Sequence, residues 1–299
     1  MKRKIVFVGC SFTWGQSLWM YEKEPKNIPC ALEWTRFGYD IEEELIQTKD
    51  KYRFANLVCN ELGNYEPITK LLNGGTDEES VRFVDLVLSN DLKDNTDRHL
   101  YKGETNPNDI DAIVFQTTQT YRSSYPFELN GKYYKIYSTP NMKNLSRVME
   151  MRYNTDSKVG DETIYSTHVV ENGMDIFVDF LISNNIKVED FEKAHIKKWT
   201  NEIETVLKKY HEKGKKVFLL CWTDEYLEEI NKNNFLKSIF VPLYYDNKKF
   251  DCINELYKYN EEMRIDKHIK NRYMGFDEHP SSICHQTISN SILKKWNLI

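Results

Sequence analysis

The sequence predicts an α/β protein built on a parallel sheet with helices on both faces. The first part of the chain alternates short apolar runs, rich in β-branched residues, with segments of helical periodicity. Such a β-α-β-α-β order is typical of parallel sheets. A further buried run returns in the second half of the chain, and no internal repeat or Gly/Ser linker interrupts it. We therefore expect residues 1–299 to form one domain.

The predicted strands are short apolar runs bounded by polar or glycine residues. The first reads Ile-Val-Phe-Val and ends on Gly9, and the fourth reads Lys-Val-Phe-Leu-Leu-Cys-Trp. In chain order we expect strands over residues 5–8, 67–72, 112–115, 216–222 and 239–245.

Helices are predicted where apolar residues recur with a period near 3.6. Glycine ends two of these segments, at Gly63 and Gly214, as expected of a helix C-terminus. Asp77 stands near the positive N-terminal end of another, where a carboxylate is favourable. In chain order we expect helices over residues 53–62, 77–88, 174–182, 194–213, 225–236 and 280–296.

Residues 120–170 break the alternation of strands and helices. Asn130 and Gly131 stand between apolar-rich arms, which predicts a hairpin turn. Polar sequence follows to about residue 165. We interpret residues 120–170 as an insertion within the single domain, in the position of a lid, with its tyrosines serving packing rather than ligand contact.

Composition excludes several classes of function. The net charge of −5 with interspersed signs gives no basis for a nucleic-acid partner, and no apolar run reaches the ~18 residues of a membrane span. The N-terminal apolar run is too short for a secretion signal. Histidine spacing predicts no metal site, and no phosphate-loop ending occurs. The cysteines have no Cys-x-x-Cys spacing and predict free thiols in a cytoplasmic protein: Cys10, Cys30, Cys59, Cys221, Cys252 and Cys284.

Three polar residues near the two ends of the chain are of the types that acyl-transfer enzymes use as nucleophile, general base and orienting acid. Ser11 follows the first buried strand, at the carboxyl edge where α/β sheets collect ligands. Asp277 and His279 supply an acid and an imidazole two positions apart. Imidazole titrates near neutral pH, which suits a general base. The alternatives are a serine that caps a helix and a histidine in an ordinary loop.

Four short blocks resemble the conserved blocks of the SGNH/GDSL hydrolases, a family of serine esterases. Residues 9–15 (Gly-Cys-Ser-Phe-Thr-Trp-Gly) resemble the first block, and residues 277–280 (Asp-Glu-His-Pro) resemble the last. Residues 73–77 resemble the block that donates an oxyanion-hole glycine, and residues 111–119 resemble the strand and loop that follow it. The blocks stand in the family order.

The resemblance implies a three-layer α/β/α sandwich around a five-stranded, flavodoxin-like parallel sheet. It also implies a serine hydrolase that cleaves an ester, such as an O-acetyl group on a carbohydrate, without cofactor or metal. Ser11 would attack, His279 would accept its proton, and Asp277 would orient His279. The oxyanion hole would use the N–H groups of Ser11 and Gly75, together with Thr118.

The third block departs from the family pattern, in which an Asn completes the oxyanion hole. Thr118 aligns with that Asn, and Gln116 and Gln119 are rivals for the same role. Gly74 is the alternative to Gly75, whereas His285 is expected to be structural, in the closing helix. Two other functions stay open: a weak or inactive binding or structural module, and an O-acyltransferase with the same triad.

Overall fold

The computed structural model describes two compact units of the chain. It describes residues 2–10, 13, 18, 43–69, 76–89, 106–119, 125–130, 132–136, 148–159, 162–169, 173–268 and 279–297. The first unit comprises Met1–Thr118 and Thr200–Ile299, and the second comprises Gln119–Trp199. The predicted insertion at 120–170 falls inside the second unit.

The described strands are, in chain order, β1 (Arg3–Val8), β2 (Tyr65–Thr69), β3 (Ile110–Gln116), β4 (Tyr125–Leu129), β5 (Lys132–Ile136), β6 (Val148–Val159), β7 (Glu162–Val169), β8 (Lys216–Leu220), β9 (Leu243–Tyr245) and β10 (Lys248–Phe250). The described helices are α1 (Glu43–Tyr52), α2 (Phe54–Leu62), α3 (Asp77–Ser89), α4 (Gly173–Ser183), α5 (Val188–His211), α6 (Leu227–Lys232), α7 (Asn234–Ile239), α8 (Ile253–Tyr259) and α9 (Ser282–Trp296).

The first unit is built on a parallel sheet with the strand order β2-β1-β3-β8. Strands β1, β3 and β8 are buried along most of their length, as expected for a sheet covered by helices, whereas the edge strand β2 is mostly part-exposed. Phe7 packs in one core with α2 and α9, whereas Val6 alternates to the other face. There α3 contacts β1 and β3. The α/β class and the four parallel strands predicted up to residue 222 are confirmed.

The segment predicted as a fifth strand begins beside the sheet and then leaves it. Phe240 forms a single parallel bridge with Leu219, and the N–H of Val241 donates to the Leu219 carbonyl at 2.8 Å. The chain then enters the antiparallel hairpin β9–β10. Asp246 and Asn247 form its turn with φ of 49° and 60°, a conformation that asparagine and aspartate tolerate.

The helix predicted over residues 225–236 is wrong as a single element. A short 3₁₀ turn, Asp224–Tyr226, leads into α6, and Asn233 then separates α6 from α7. Asn233 is extended, with φ of −106°, and its side-chain oxygen accepts from the N–H of Leu236 at 3.0 Å. Asparagine is a strong N-cap, so it starts a new helix here instead of continuing the old one.

The second unit carries an antiparallel sheet with the order β4-β5-β6-β7. The hairpin predicted around Asn130 is confirmed, since β4 and β5 pair across it and Asn130 has a φ of 52°. The longer hairpin β6–β7 was not predicted, because its strands are polar and lack a clear alternation. Phe177 of α4 packs edge-to-face on Phe191 of α5 at 5.1 Å between ring centroids.

Helix α5 starts at Val188, six positions before the predicted start at 194. Among the helices described, none combines the length and the apolar character that crossing a bilayer requires.

Candidate functional site

The carboxyl edge of the parallel sheet, where the segments after β1, β2, β3 and β8 begin, is the part of the molecule in which the sequence predicts the site. Of the predicted site residues, His279 and Thr118 lie within the described part of the chain, as do the rivals Gln116 and Gln119. The predicted residues outside it are Ser11, Gly74, Gly75 and Asp277. Two buried polar contacts at this edge, built around Gln116 and Asp77, were not predicted.

Gly9 ends β1 where the backbone passes close to β3. Its φ is +157°, and a Cβ at this position would stand 2.3 Å from Thr13 Oγ1 and 3.0 Å from the Cβ of Gln116. No side chain fits in that space without moving its neighbours. The glycine at the end of the first strand is therefore required by the close approach of two strands' ends.

Gln116 binds both sides of the segment that contains Ser11. Its side-chain oxygen accepts from Thr13 Oγ1 at 2.9 Å, and its Nε2 donates to Cys10 Sγ at 3.4 Å. Gln116 is fully buried. Because a residue just before Ser11 and another two positions after it are both bonded to this amide, Gln116 acts as a brace for the Ser11 segment.

Asp77 is a fully buried carboxylate that receives hydrogen bonds from two other segments. The N–H of Thr118, just after β3, donates to Oδ1 at 2.9 Å, and the hydroxyl of Tyr226 donates to Oδ2 at 2.6 Å. The Thr118 side chain also bonds this carboxyl group. Asp77 thus joins the segment after β2 to those that follow β3 and β8.

A capping box fixes the backbone immediately before Asp77. The N–H of Glu79 donates to Thr76 Oγ1 at 3.1 Å, and the N–H of Thr76 donates to Glu79 Oε2 at 3.2 Å. These reciprocal bonds satisfy two amides at the start of α3.

Burial dominates the ionisation of Asp77 and raises its pKa to about 7. The hydrogen bonds from Tyr226 and Thr118 oppose this rise, because they stabilise the ionised form. Tyr226 in turn has its pKa raised well above the usual value, first by burial and then by the charge of Asp77.

Asp77→Asn is expected to remove a pH dependence of stability. The folded pKa of Asp77, about 7, exceeds its unfolded value of about 3.9, so the native state holds a proton that the unfolded chain has lost. The contribution of Asp77 to the unfolding free energy is therefore fully present below about pH 4 and is lost as the pH rises to about 7. The unfolding free energy of wild type minus that of Asp77→Asn should fall across this range, by at most roughly 1.4 kcal/mol per pH unit.

Urea denaturation from pH 4 to pH 8 measures this difference. Subtracting the variant removes the opposing titration of His285, which both proteins share. Asp85→Asn is the matched control, because Asp85 also lies on α3 and also accepts from a tyrosine hydroxyl, that of Tyr210, but is exposed to solvent. A wild-type-minus-variant difference that stays constant with pH would contradict the assignment.

Two basic side chains are buried beside the end of β2. The Arg53 guanidinium donates to Thr69 Oγ1 at 3.1 Å and lies 3.0 Å from Asp50 Oδ1. Lys49 Nζ lies 3.6 Å from the same carboxylate oxygen. Burial, followed by the charge of Arg53, lowers the pKa of Lys49 to about 7. Since Thr69 pairs with Phe7 of β1, this charge lies near the carboxyl end of the strand that leads to Ser11.

His279 is half-buried at the entrance to the closing helix α9. Its carbonyl accepts from the N–H of Ile265 at 2.8 Å, and Pro280 bridges to Arg264. Ser281 caps α9 by accepting from the N–H of Cys284 at 3.3 Å. The backbone of the predicted base is thus held at its carbonyl and through the two residues that follow it, which fixes where His279 stands before α9.

His285 lies in α9 and has the structural role expected of it. Its Nδ1 accepts from the N–H of Phe54 at 3.2 Å, which caps the start of α2, and its ring stacks on that of Phe54. Burial, then the charges of Arg53 and His279, lowers the pKa of His285 to about 3. The ring is therefore neutral at working pH, and its accepting Nδ1 places the proton on Nε2.

The described cysteines are all buried and free: Cys10, Cys59, Cys221, Cys252 and Cys284. Burial raises the pKa of Cys59 to about 12 and that of Cys252 to about 11. Such thiols are poor nucleophiles. In the part of the chain that the structure describes, no three His, Cys, Asp or Glu side chains group as metal ligands would.

Comparison of the chain with protein-family models, with curated proteins and with solved structures finds no match.

Proposed function

We propose that this protein is a serine hydrolase that cleaves a small ester. Ser11 is the nucleophile, His279 the general base, and Asp277 the carboxylate that orients His279. The N–H groups of Ser11 and Gly75 stabilise the oxyanion. The substrate class that we propose is an O-acyl group, such as O-acetyl on a carbohydrate, and the proposed location is the cytoplasm.

The observation that carries this proposal is the buried brace around Ser11. Gln116 bonds Cys10 and Thr13, and Gly9 permits the close approach that the brace requires. A nucleophile must be held within a fraction of an ångström of its attack geometry. A serine that merely caps a helix needs no such support from a buried amide on the neighbouring strand.

We also propose the finer fold that the resemblance implies, a flavodoxin-like sheet with five positions. The strand order β2-β1-β3-β8 is compatible with the first four positions of that topology. The single parallel bridge between Leu219 and Phe240 supports a fifth position beside β8. In this fold, ligands collect beyond the carboxyl ends of the strands, where Gln116 and Asp77 lie.

The reaction proceeds in two balanced steps. Ser11 Oγ attacks the ester carbonyl while His279 takes the hydroxyl proton, and collapse of the tetrahedral intermediate releases the alcohol, which receives that proton. Water then attacks the acyl-serine, with His279 again as base, and releases the carboxylic acid. In the third block, the Thr118 hydroxyl is the proposed side-chain donor. Since it also bonds Asp77, its contribution is expected to be modest.

Turnover of p-nitrophenyl acetate tests the proposal. Wild type should release p-nitrophenol, and His279→Gln should lose most of that rate, because the variant lacks the group that accepts the serine proton. His211→Gln is the control, because His211 is exposed in the last turn of α5. Equal rates for His279→Gln and His211→Gln would refute the assigned base.

A second assay separates hydrolysis from transfer to another acceptor. The same triad serves both reactions, and they differ in whether water or an alcohol attacks the acyl-serine. Acetate release should match p-nitrophenol release for a hydrolase. If added alcohol acceptors carry most of the acetyl group instead, the protein is an O-acyltransferase.

A further inference from the structure

Asp77 brings together three of the four segments at the carboxyl edge of the sheet. It starts the helix after β2, and it accepts from Thr118 after β3 and from Tyr226 after β8. The sequence separations are 41 and 149 positions, so these bonds join distant parts of the chain. Both donors are themselves buried.

Burial of a carboxylate is costly, and its cost indicates a role beyond stability. An apolar side chain of similar size would avoid the desolvation that raises the pKa of Asp77. The side chain of Thr76 already caps α3, in a capping box with Glu79 that satisfies the N–H groups of Thr76 and Glu79. The Asp77 side chain is therefore not needed as a helix cap, and its bonds to Thr118 and Tyr226 join α3 to two other segments.

The three segments include two of the proposed oxyanion-hole positions. Gly75 precedes Asp77 by two residues, with Thr76 fixed between them by the capping box. Thr118 is bonded to Asp77 through its N–H at 2.9 Å. The end of the second block, at Asp77, is therefore joined directly to the third block by one carboxylate.

We propose that Asp77 is a positioning residue that sets where Thr118 lies in the proposed oxyanion hole, by holding the segment after β3 to the start of α3. This inference rests on the proposed serine-hydrolase function. Asp77 touches neither substrate nor nucleophile in this role. It acts through its bond to Thr118, and Tyr226 holds the carboxylate from the β8 side.

The test compares variants of Asp77 and Tyr226 with a matched pair on the same helix. Asp85 also lies on α3 and accepts from the Tyr210 hydroxyl at 2.8 Å. This bond joins α3 to α5 and does not involve a segment of the predicted site. Asp77→Ala removes the bonds to Thr118 and Tyr226, Asp77→Asn keeps an acceptor for the Thr118 N–H, and Tyr226→Phe removes one donor. Asp85→Ala and Tyr210→Phe are the controls.

Steady-state turnover of p-nitrophenyl acetate should separate positioning from general stability. Asp77→Ala should lower kcat by roughly 10–100-fold with little change in KM, since a misplacement of about 1 Å costs about that much. Asp77→Asn should restore kcat to within about fivefold of wild type. The kcat of Tyr226→Phe should lie between those of Asp77→Ala and Asp77→Asn, and the kcat of each control should match that of wild type.

The possible results distinguish this inference from the function on which it rests. If folded Asp77→Ala keeps a kcat within twofold of Asp85→Ala, the positioning role is wrong and the hydrolase proposal stands. If Asp77→Ala does not fold, the kcat of Tyr226→Phe is compared with that of Tyr210→Phe by the same twofold criterion. If wild type shows neither ester turnover nor fluorophosphonate labelling, the hydrolase proposal fails, and the role of Asp77 fails with it.

Discussion

Ser11→Ala is expected to abolish ester turnover while leaving the fold intact. Removing the nucleophile of a triad eliminates the acyl-enzyme route, and the loss should be at least about 10⁴-fold in kcat. Alanine fits wherever serine fits, so the thermal unfolding midpoint should change little. Initial rates on p-nitrophenyl acetate, measured at matched folded concentration, give the result.

A surface serine supplies the control for this variant. Ser238 lies exposed in α7, where its hydroxyl donates to the Phe235 carbonyl at 2.6 Å. Ser238→Ala should retain the wild-type rate. If Ser11→Ala and Ser238→Ala are equally active, the ester is cleaved by some other group and Ser11 is an ordinary helix-capping serine.

Gly9→Ala is expected to damage both stability and turnover. The new methyl group would lie 2.3 Å from Thr13 Oγ1 and 3.0 Å from the Gln116 Cβ, so the brace around Ser11 must move. Overpacking of this kind costs about 1–3 kcal/mol of unfolding free energy. Displacement of the Ser11 segment should also lower kcat by roughly 10²-fold.

Two other glycines separate these effects. Gly63 and Gly214 have φ of 77° and 80°, and a Cβ on either would meet no atom within 4 Å. Alanine there should cost about 1–2 kcal/mol through backbone strain alone, with kcat unchanged. If Gly9→Ala retains wild-type kcat at a similar loss of stability, the close approach at Gly9 does not position the nucleophile.

Local sequence patterns predicted the part of the fold that depends on near neighbours. The runs at 5–8 and 216–222 are apolar enough to predict buried strands. In the structure each of them pairs in parallel with β3. Helix limits at Gly63 and Gly214 follow from the conformational freedom of glycine. The hairpin β6–β7 was missed because its strands are polar and do not alternate clearly.

The polar contacts at the carboxyl edge could not be predicted, because they join residues far apart in the sequence. Gln116 was a candidate for the oxyanion hole, and its bonds to Cys10 and Thr13 span more than 100 positions. Asp77 was expected only to favour the start of a helix. A polar side chain at the end of an apolar strand, such as Gln116, is the signal that points to such a contact.

Mapping of a fluorophosphonate adduct tests the central claim most directly. The reagent phosphonylates a serine only where a base and an oxyanion hole activate it. Incubation of the native protein followed by peptide mass spectrometry should find one adduct, on Ser11, that is absent from heat-denatured protein. No adduct on the native protein, or an adduct on a serine other than Ser11, would contradict the assignment of Ser11 as the nucleophile.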